Sequence, residues 1–146
     1  MWSFSSKKRK VRQAALEQAC KLITTQIHAA SGIDNFFRKS KNLWALGYCF
    51  GVLQASLEAA DTKAKLHERD YQSHISIGLG RVYAQENLAP LFYRVGLSSM
   101  GIDQFHEGRV AGATELIQVL NTKSDQAHGL LHYLRTTKVE ASPLVV

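Results

Sequence analysis

The sequence contains little cysteine and little proline, with two residues of each in a chain of 146. Cys20 and Cys49 stand far apart in apolar stretches, which provides neither a Cys-x-x-Cys metal pair nor a disulfide framework. We therefore expect two reduced thiols that pack as small apolar groups. The longest uncharged stretch near the middle, residues 42–57, is shorter than the roughly 20 residues of a membrane-spanning helix. No apolar segment of signal-peptide length follows the charged N-terminus, so we predict a cytoplasmic protein.

Catalytic motifs are also scarce. The run Gly-Leu-Gly-Arg at residues 78–81 lacks the third glycine and the preceding strand that a dinucleotide-binding loop requires. His67, Asp70, Tyr71 and His74 recur at steps of three and four on one helical face, where a histidine could act as a general acid or base. A polar, solvated helix face accounts for the same spacing. The sequence therefore does not favour an enzyme, although it leaves that activity open.

Helical periodicity dominates the remaining pattern. Apolar residues recur at steps of three and four along most of the chain, whereas strand-like alternation is almost absent. With 45% apolar and 21% charged residues, the chain has enough material for one hydrophobic core. We predict an all-α, single-domain bundle of five or six helices at residues 13–137, between a basic N-terminal arm at 1–12 and a flexible tail at 138–146. The predicted helices span residues 6–30, 40–60, 62–83, 91–97, 103–120 and 124–134.

The positive charge is concentrated at the N-terminus. The formal net charge is +6, but residues 1–41 alone sum to +7 and the rest of the chain sums to −1. Five basic residues fall within six positions: Lys7, Lys8, Arg9, Lys10 and Arg12. Such a cluster attracts phosphate on nucleic acid or on anionic lipids, and the neighbouring Trp2 and Phe4 are suited to a bilayer surface. A solvated basic arm without a ligand is the alternative.

Small residues form two ridges at steps of four. One ridge comprises Gly47, Gly51, Ala55 and Ala59 on the second predicted helix, and the other comprises Gly108 and Gly112 on a later helix. Small residues at this spacing let two helix backbones approach closely. The ridges either meet within one chain, which is the simpler arrangement, or one ridge meets its own copy across a two-fold axis. For self-association, the candidate interface residues are Trp44, Gly47, Tyr48, Gly51, Gly108 and Gly112.

Histidines and aspartates suggest a metal site near the C-terminus. His128 and His132 are four positions apart on a predicted helix, and Asp125 lies one turn earlier. Asp103 and His106 repeat the acid-x-x-His spacing on the preceding predicted helix. Helical bundles that hold paired metals use related spacings, usually with Glu in place of Asp. Histidines that cap or solvate the edge of a short helix explain the same pattern.

The function predicted from these features is a small helical interaction or regulatory module that acts as a homo-oligomer and carries no assigned cofactor. One alternative is a metal-binding bundle, a sensor or an enzyme, that holds a divalent transition metal through His106, His128 and His132. A further alternative is a nonspecific binder of nucleic acid or anionic membrane through the basic N-terminus.

Overall fold

The computed structural model describes residues 2–30, 43–62, 65–123 and 127–136, with side chains from Ser6 onward. The predicted all-α fold is confirmed, since these residues form six α-helices, one 3-10 turn and no strand. The helices are α1 (Trp2–Ala29), α2 (Leu43–Ala60), α3 (Glu68–Val82), α4 (Ala89–Ser98), α5 (Asp103–Thr122) and α6 (Gly129–Thr136), with the 3-10 turn at Glu86–Leu88 before α4. Within the described ranges, none of the helices combines the length and hydrophobicity that a bilayer crossing requires.

The core surrounds α2, which is buried along most of its length. Tyr48, Cys49 and Leu53 of α2 are fully shielded from solvent. Ile23 of α1 and Phe105 of α5 are also fully buried and belong to the same cluster. This placement follows from sequence, because α2 is apolar on most sides and an all-round apolar helix must be covered on every face. The two cysteines are free and buried, as predicted.

The basic N-terminal segment is helical from Trp2 and continues without a break into the buried part of α1. The segment predicted as a separate arm at 1–12 is therefore the first three turns of a bundle helix, as far as it is described. The tail predicted at 138–146 lies outside the described residues.

The ends of two other helices differ from the predicted bounds. A helix was expected from residue 62, but α3 begins at Glu68, where the backbone N–H of His67 donates to the Asp70 carboxylate at 2.8 Å. This hydrogen bond, from the backbone of the residue before the helix to a side chain in its first turn, caps the start of α3. The last helix was expected from residue 124 but begins at Gly129. Pro90 occupies the first turn of α4, as its missing N–H allows.

The glycines of α2 lie against the backbone of α5. A Cβ atom added at Gly47 would overlap the carbonyl oxygen of Phe105, and one added at Gly51 would overlap that of Arg109. Only glycine leaves room for this approach. The ridge on α2 therefore sets the spacing of the most extensive helix pair in the bundle.

The glycines of α5 lie against α2 in the same way. A Cβ atom at Gly108 would overlap the carbonyl oxygen of Trp44, and one at Gly112 would overlap that of Tyr48. The order of these contacts along both helices shows that α2 and α5 run parallel, with ridge meeting ridge.

The two ridges thus meet inside one chain, which is the simpler of the two arrangements that the sequence left open. Gly47, Gly51, Gly108 and Gly112 are already covered by a helix of their own chain. Tyr48 is fully buried, and the ring of Trp44 stacks on Tyr133 of α6 with centroids 4.4 Å apart. The four glycines and Tyr48 are buried and cannot contact a second chain without unpacking the bundle, whereas Trp44 is partly exposed.

Candidate functional site

A groove runs between α1 and α5, and α2 forms the floor of its smaller part. We define the groove by two adjoining cavities of about 310 and 570 Å³ that share Gln18 of α1 and Leu120 of α5. Its α1 wall extends from Val11 to Thr25, which corresponds to about 21 Å of helix. That length matches four turns of a second helix.

The groove exists because both walls pack on α2 rather than on each other. α1 and α5 each contact α2, but they make almost no contact with one another. The floor carries only short side chains, Ser56, Ala59 and Ala60, so nothing from α2 fills the space between the walls. Ala59 is exposed although it lies next to the core.

The walls of the smaller cavity are mainly apolar and partly open to solvent. Val11 on α1 is 48% exposed, and Ala14 and Ala15 continue its stripe along the wall. On α5, Leu116 and Leu120 line the smaller cavity, and Ile117, which is next to Leu116 in sequence and does not itself line the groove, is 41% exposed. Exposed apolar side chains that adjoin a cavity mark interaction surfaces more often than isolated ones do.

The rim of the groove is basic. Lys21 of α1 and Lys123 at the end of α5 line the larger cavity, and no acidic residue is among the described residues that line either cavity. The groove therefore combines a mainly apolar smaller cavity with a more polar larger cavity that carries positive charge.

The five basic residues predicted to bind phosphate divide into two groups. Arg12 pairs with Asp61 at 2.8 Å and with Asp70 at 3.1 Å, and Lys8 lies 3.7 Å from Asp61. These two side chains tie α1 to the end of α2 and the start of α3. Lys7, Arg9 and Lys10 are exposed. A phosphate contact would therefore rest on these three residues.

The residues predicted to bind a metal are spread over two helices. Asp103 and His106 lie in the first turn of α5, whereas His128 precedes α6 and His132 is exposed within it. The start of α6 lies beside Glu115 of α5, nine residues or about 13 Å from His106. Asp125 lies outside the described residues. Across the part of the chain that is described, no three His, Cys, Asp or Glu side chains come together as a metal site.

A buried polar network, which the sequence did not reveal, holds α6 in place. The Glu115 carboxylate accepts hydrogen bonds from the backbone N–H groups of His128 at 3.1 Å and Gly129 at 3.0 Å. Tyr48 donates its hydroxyl to the same carboxylate. Gln26, which is 2% exposed, donates to the Tyr48 hydroxyl at 3.0 Å and accepts from the backbone of Leu131 at 2.9 Å. Four helices therefore meet at one set of polar atoms.

Burial and the adjacent carboxylate of Glu115 raise the pKa of Tyr48 well above its ordinary value. The phenol therefore stays protonated and keeps its role as donor. Its partner Glu115 acts as the N-terminal cap of α6, since an acidic group at a helix N-terminus satisfies free N–H groups and complements the helix dipole.

A second buried pair lies behind the groove floor. Ser56 Oγ and His74 Nε2 are 2.9 Å apart, and both side chains are buried. Burial, and then the positive charge of Arg12, lowers the pKa of His74 to about 4. The Ser56 hydroxyl donates to the Leu53 carbonyl at 2.7 Å, so its proton is already used and the imidazole donates to it. This arrangement joins α2 to α3 and is not that of a base activating a nucleophile.

The fold and the groove together define an all-α bundle with an open interhelical groove. The chain matches no protein-family model, and no curated protein or solved structure gives a significant match.

Proposed function

We propose that the protein is a helical interaction module whose groove binds an amphipathic helix with an apolar face and acidic flanks. The observation that carries the proposal is the groove itself, which is about four turns long, mainly apolar in its smaller cavity and lined in its larger cavity by Lys21 and Lys123. Helices that lie in apolar grooves use anchors at steps of three and four. The basic rim favours acidic flanks on the partner through charge complementarity.

Two synthetic helical peptides of about 14 residues test the charge preference. Both present the same Leu and Ala face, but one carries Glu on its flanks and the other Lys. We expect the acidic peptide to bind about tenfold more tightly at low salt, with the difference shrinking as added salt screens the rim. Titration calorimetry at two salt concentrations measures both quantities.

A matched pair of charge reversals tests whether the preference for the acidic peptide arises at the groove. Lys21→Glu changes the rim, whereas Lys65→Glu makes the same charge change at an exposed residue ahead of α3. The first should reduce binding of the acidic peptide several-fold more than the second. Equal binding of the two peptides, or equal effects of the two variants, would contradict the proposal.

The protein's own second copy is the competing occupant. Self-association stays a prediction, now without the glycine ridges as its surface. If native mass spectrometry shows a dimer that Ala59→Trp abolishes, the groove holds a second copy, and the proposal of an acidic partner is wrong.

We also propose a cytoplasmic location, supported by the two free thiols, because disulfides are rare where thiols are kept reduced. The metal and phosphate alternatives stay predictions. The metal alternative has weaker support than the helical partner, because its histidines are spread over two helices. The phosphate alternative also has weaker support, because Arg12 and Lys8 already pair with carboxylates.

A further inference from the structure

A further cavity lies on a different side of α2, between α2, α3 and α4, and we call it the aromatic cleft. It has a volume of about 330 Å³ and is open on one side. Its lining combines aromatic and aliphatic side chains with one methionine, one glutamine and one glutamate. Its aromatic members are Phe50, Tyr71 and Tyr93. The size is at the lower end of cavities that hold small molecules.

Stacked rings form the fixed wall of the cleft. Phe50 and Tyr93 lie nearly parallel, with an interplanar angle of 15° and centroids 5.8 Å apart. Both residues are buried, as is Ile75 at the base of the cleft. Tyr71 of α3 is partly exposed and is fixed by its hydroxyl, which donates to Glu58 at 3.0 Å. Aromatic surfaces therefore enter the cleft from three helices.

The charged residue in the lining of this cleft is acidic. Glu68, the first residue of α3, lines the cleft and is exposed to solvent. Burial raises the pKa of Tyr93, and the charge of Glu68 adds to the shift, which places the carboxylate within electrostatic reach of the phenol. The nearby Arg109 donates to Gln54 at 3.4 Å but is not among the residues that line the cleft. No basic side chain belongs to that lining among the described residues.

We propose that the aromatic cleft binds a small organic cation, an ammonium group carried on a compact apolar body. Ring faces attract cations because the ring quadrupole is negative there, and Arg and quaternary ammonium groups are the usual partners. A carboxylate beside the rings adds Coulomb attraction, and the aliphatic floor accommodates the apolar body. This inference concerns a different surface from the groove and does not depend on the proposed function.

Choline and its uncharged analogue 3,3-dimethyl-1-butanol are the probes, because they share a shape and differ in charge. The chain has two methionines, and Met100 lines the cleft. Labelling the methionine methyl groups with ¹³C therefore gives one reporter in the cleft, assigned by its loss in Met100→Leu, and a second signal as a reference. We expect the Met100 signal to shift on titration with choline, at about tenfold lower concentration than with the analogue.

Two charge-neutralising variants complete the test. Glu68→Gln should bring the choline and analogue affinities to within about twofold of each other. Glu107→Gln, at an exposed site on α5, should leave the tenfold preference unchanged. The proposal is overturned if the analogue binds as tightly as choline, if Glu68→Gln keeps the preference, or if choline leaves the Met100 signal in place up to about 50 mM, far weaker than the binding that specific sites show.

Discussion

Tyr48 donates its hydroxyl to the Glu115 carboxylate, and this contact joins the most buried helix to the cap of the C-terminal helix. Tyr48 also serves the close packing of α2 and α5, since its backbone carbonyl lies against Gly112. Tyr48 thus contributes both to the close packing of the α2 and α5 backbones and to the polar network around Glu115. Both sets of contacts hold α5 in the position that leaves the groove open.

Removing the cap should loosen α6. In Glu115→Ala the backbone N–H groups of His128 and Gly129 lose their acceptor, and the Tyr48 hydroxyl loses its own, which should lower the free energy of unfolding by about 1 to 3 kcal/mol. Amide hydrogen exchange should accelerate in α6 before the rest of the bundle. Glu107→Ala, at an exposed site on the same helix, is the control. Unchanged exchange in α6 would mean that the carboxylate does not hold the helix.

Adding a methyl group to the glycine contact should destabilise the bundle. The Cβ atom of Gly112→Ala would meet the Tyr48 carbonyl, so the helices must separate, at a cost of about 3 kcal/mol in the free energy of unfolding. Gly101→Ala is the matched control, because an added Cβ there meets no atom within 4 Å. That variant should change stability by about 0.5 kcal/mol or less. Chemical denaturation of both variants measures the difference, and equal midpoints would contradict the packing described here.

His74 should make the protein less stable in mild acid. Its pKa is about 4 in the folded chain, against about 6.5 when unfolded, so the unfolded chain binds more protons between these values. The free energy of unfolding should therefore fall as pH falls through this window, by about 3 kcal/mol in total. His74→Gln keeps an N–H donor for Ser56 and should flatten this part of the pH profile. His106→Gln, at an exposed site, should leave the pH dependence of the unfolding free energy unchanged. Identical pH profiles for the two variants would show that His74 is not the source of this dependence.

The sequence predicted the fold class and most helices because these depend on local periodicity. It also found both glycine ridges, since Gly47 with Gly51 and Gly108 with Gly112 repeat within a single helix. Which surface each ridge contacts depends on tertiary packing, so the sequence alone left both arrangements of the ridges open.

The polar contacts escaped sequence reasoning because their partners are distant along the chain. Glu115 caps a helix 14 residues later, and Gln26 contacts a backbone group of Leu131 more than a hundred residues away. The sequence contains no local signal for the groove, because the groove depends on the distance between α1 and α5 where both pack on α2.

The most direct test of the groove is to fill it. Ala59→Trp places a large ring on the exposed floor, and Thr114→Trp places the same ring on an exposed site of α5 that does not line the groove. After circular dichroism has confirmed that both variants are folded, titration calorimetry with the acidic peptide measures binding. We predict that Ala59→Trp weakens binding by at least about tenfold while Thr114→Trp binds like the wild type. Wild-type affinity in Ala59→Trp would show that the groove is not the binding surface.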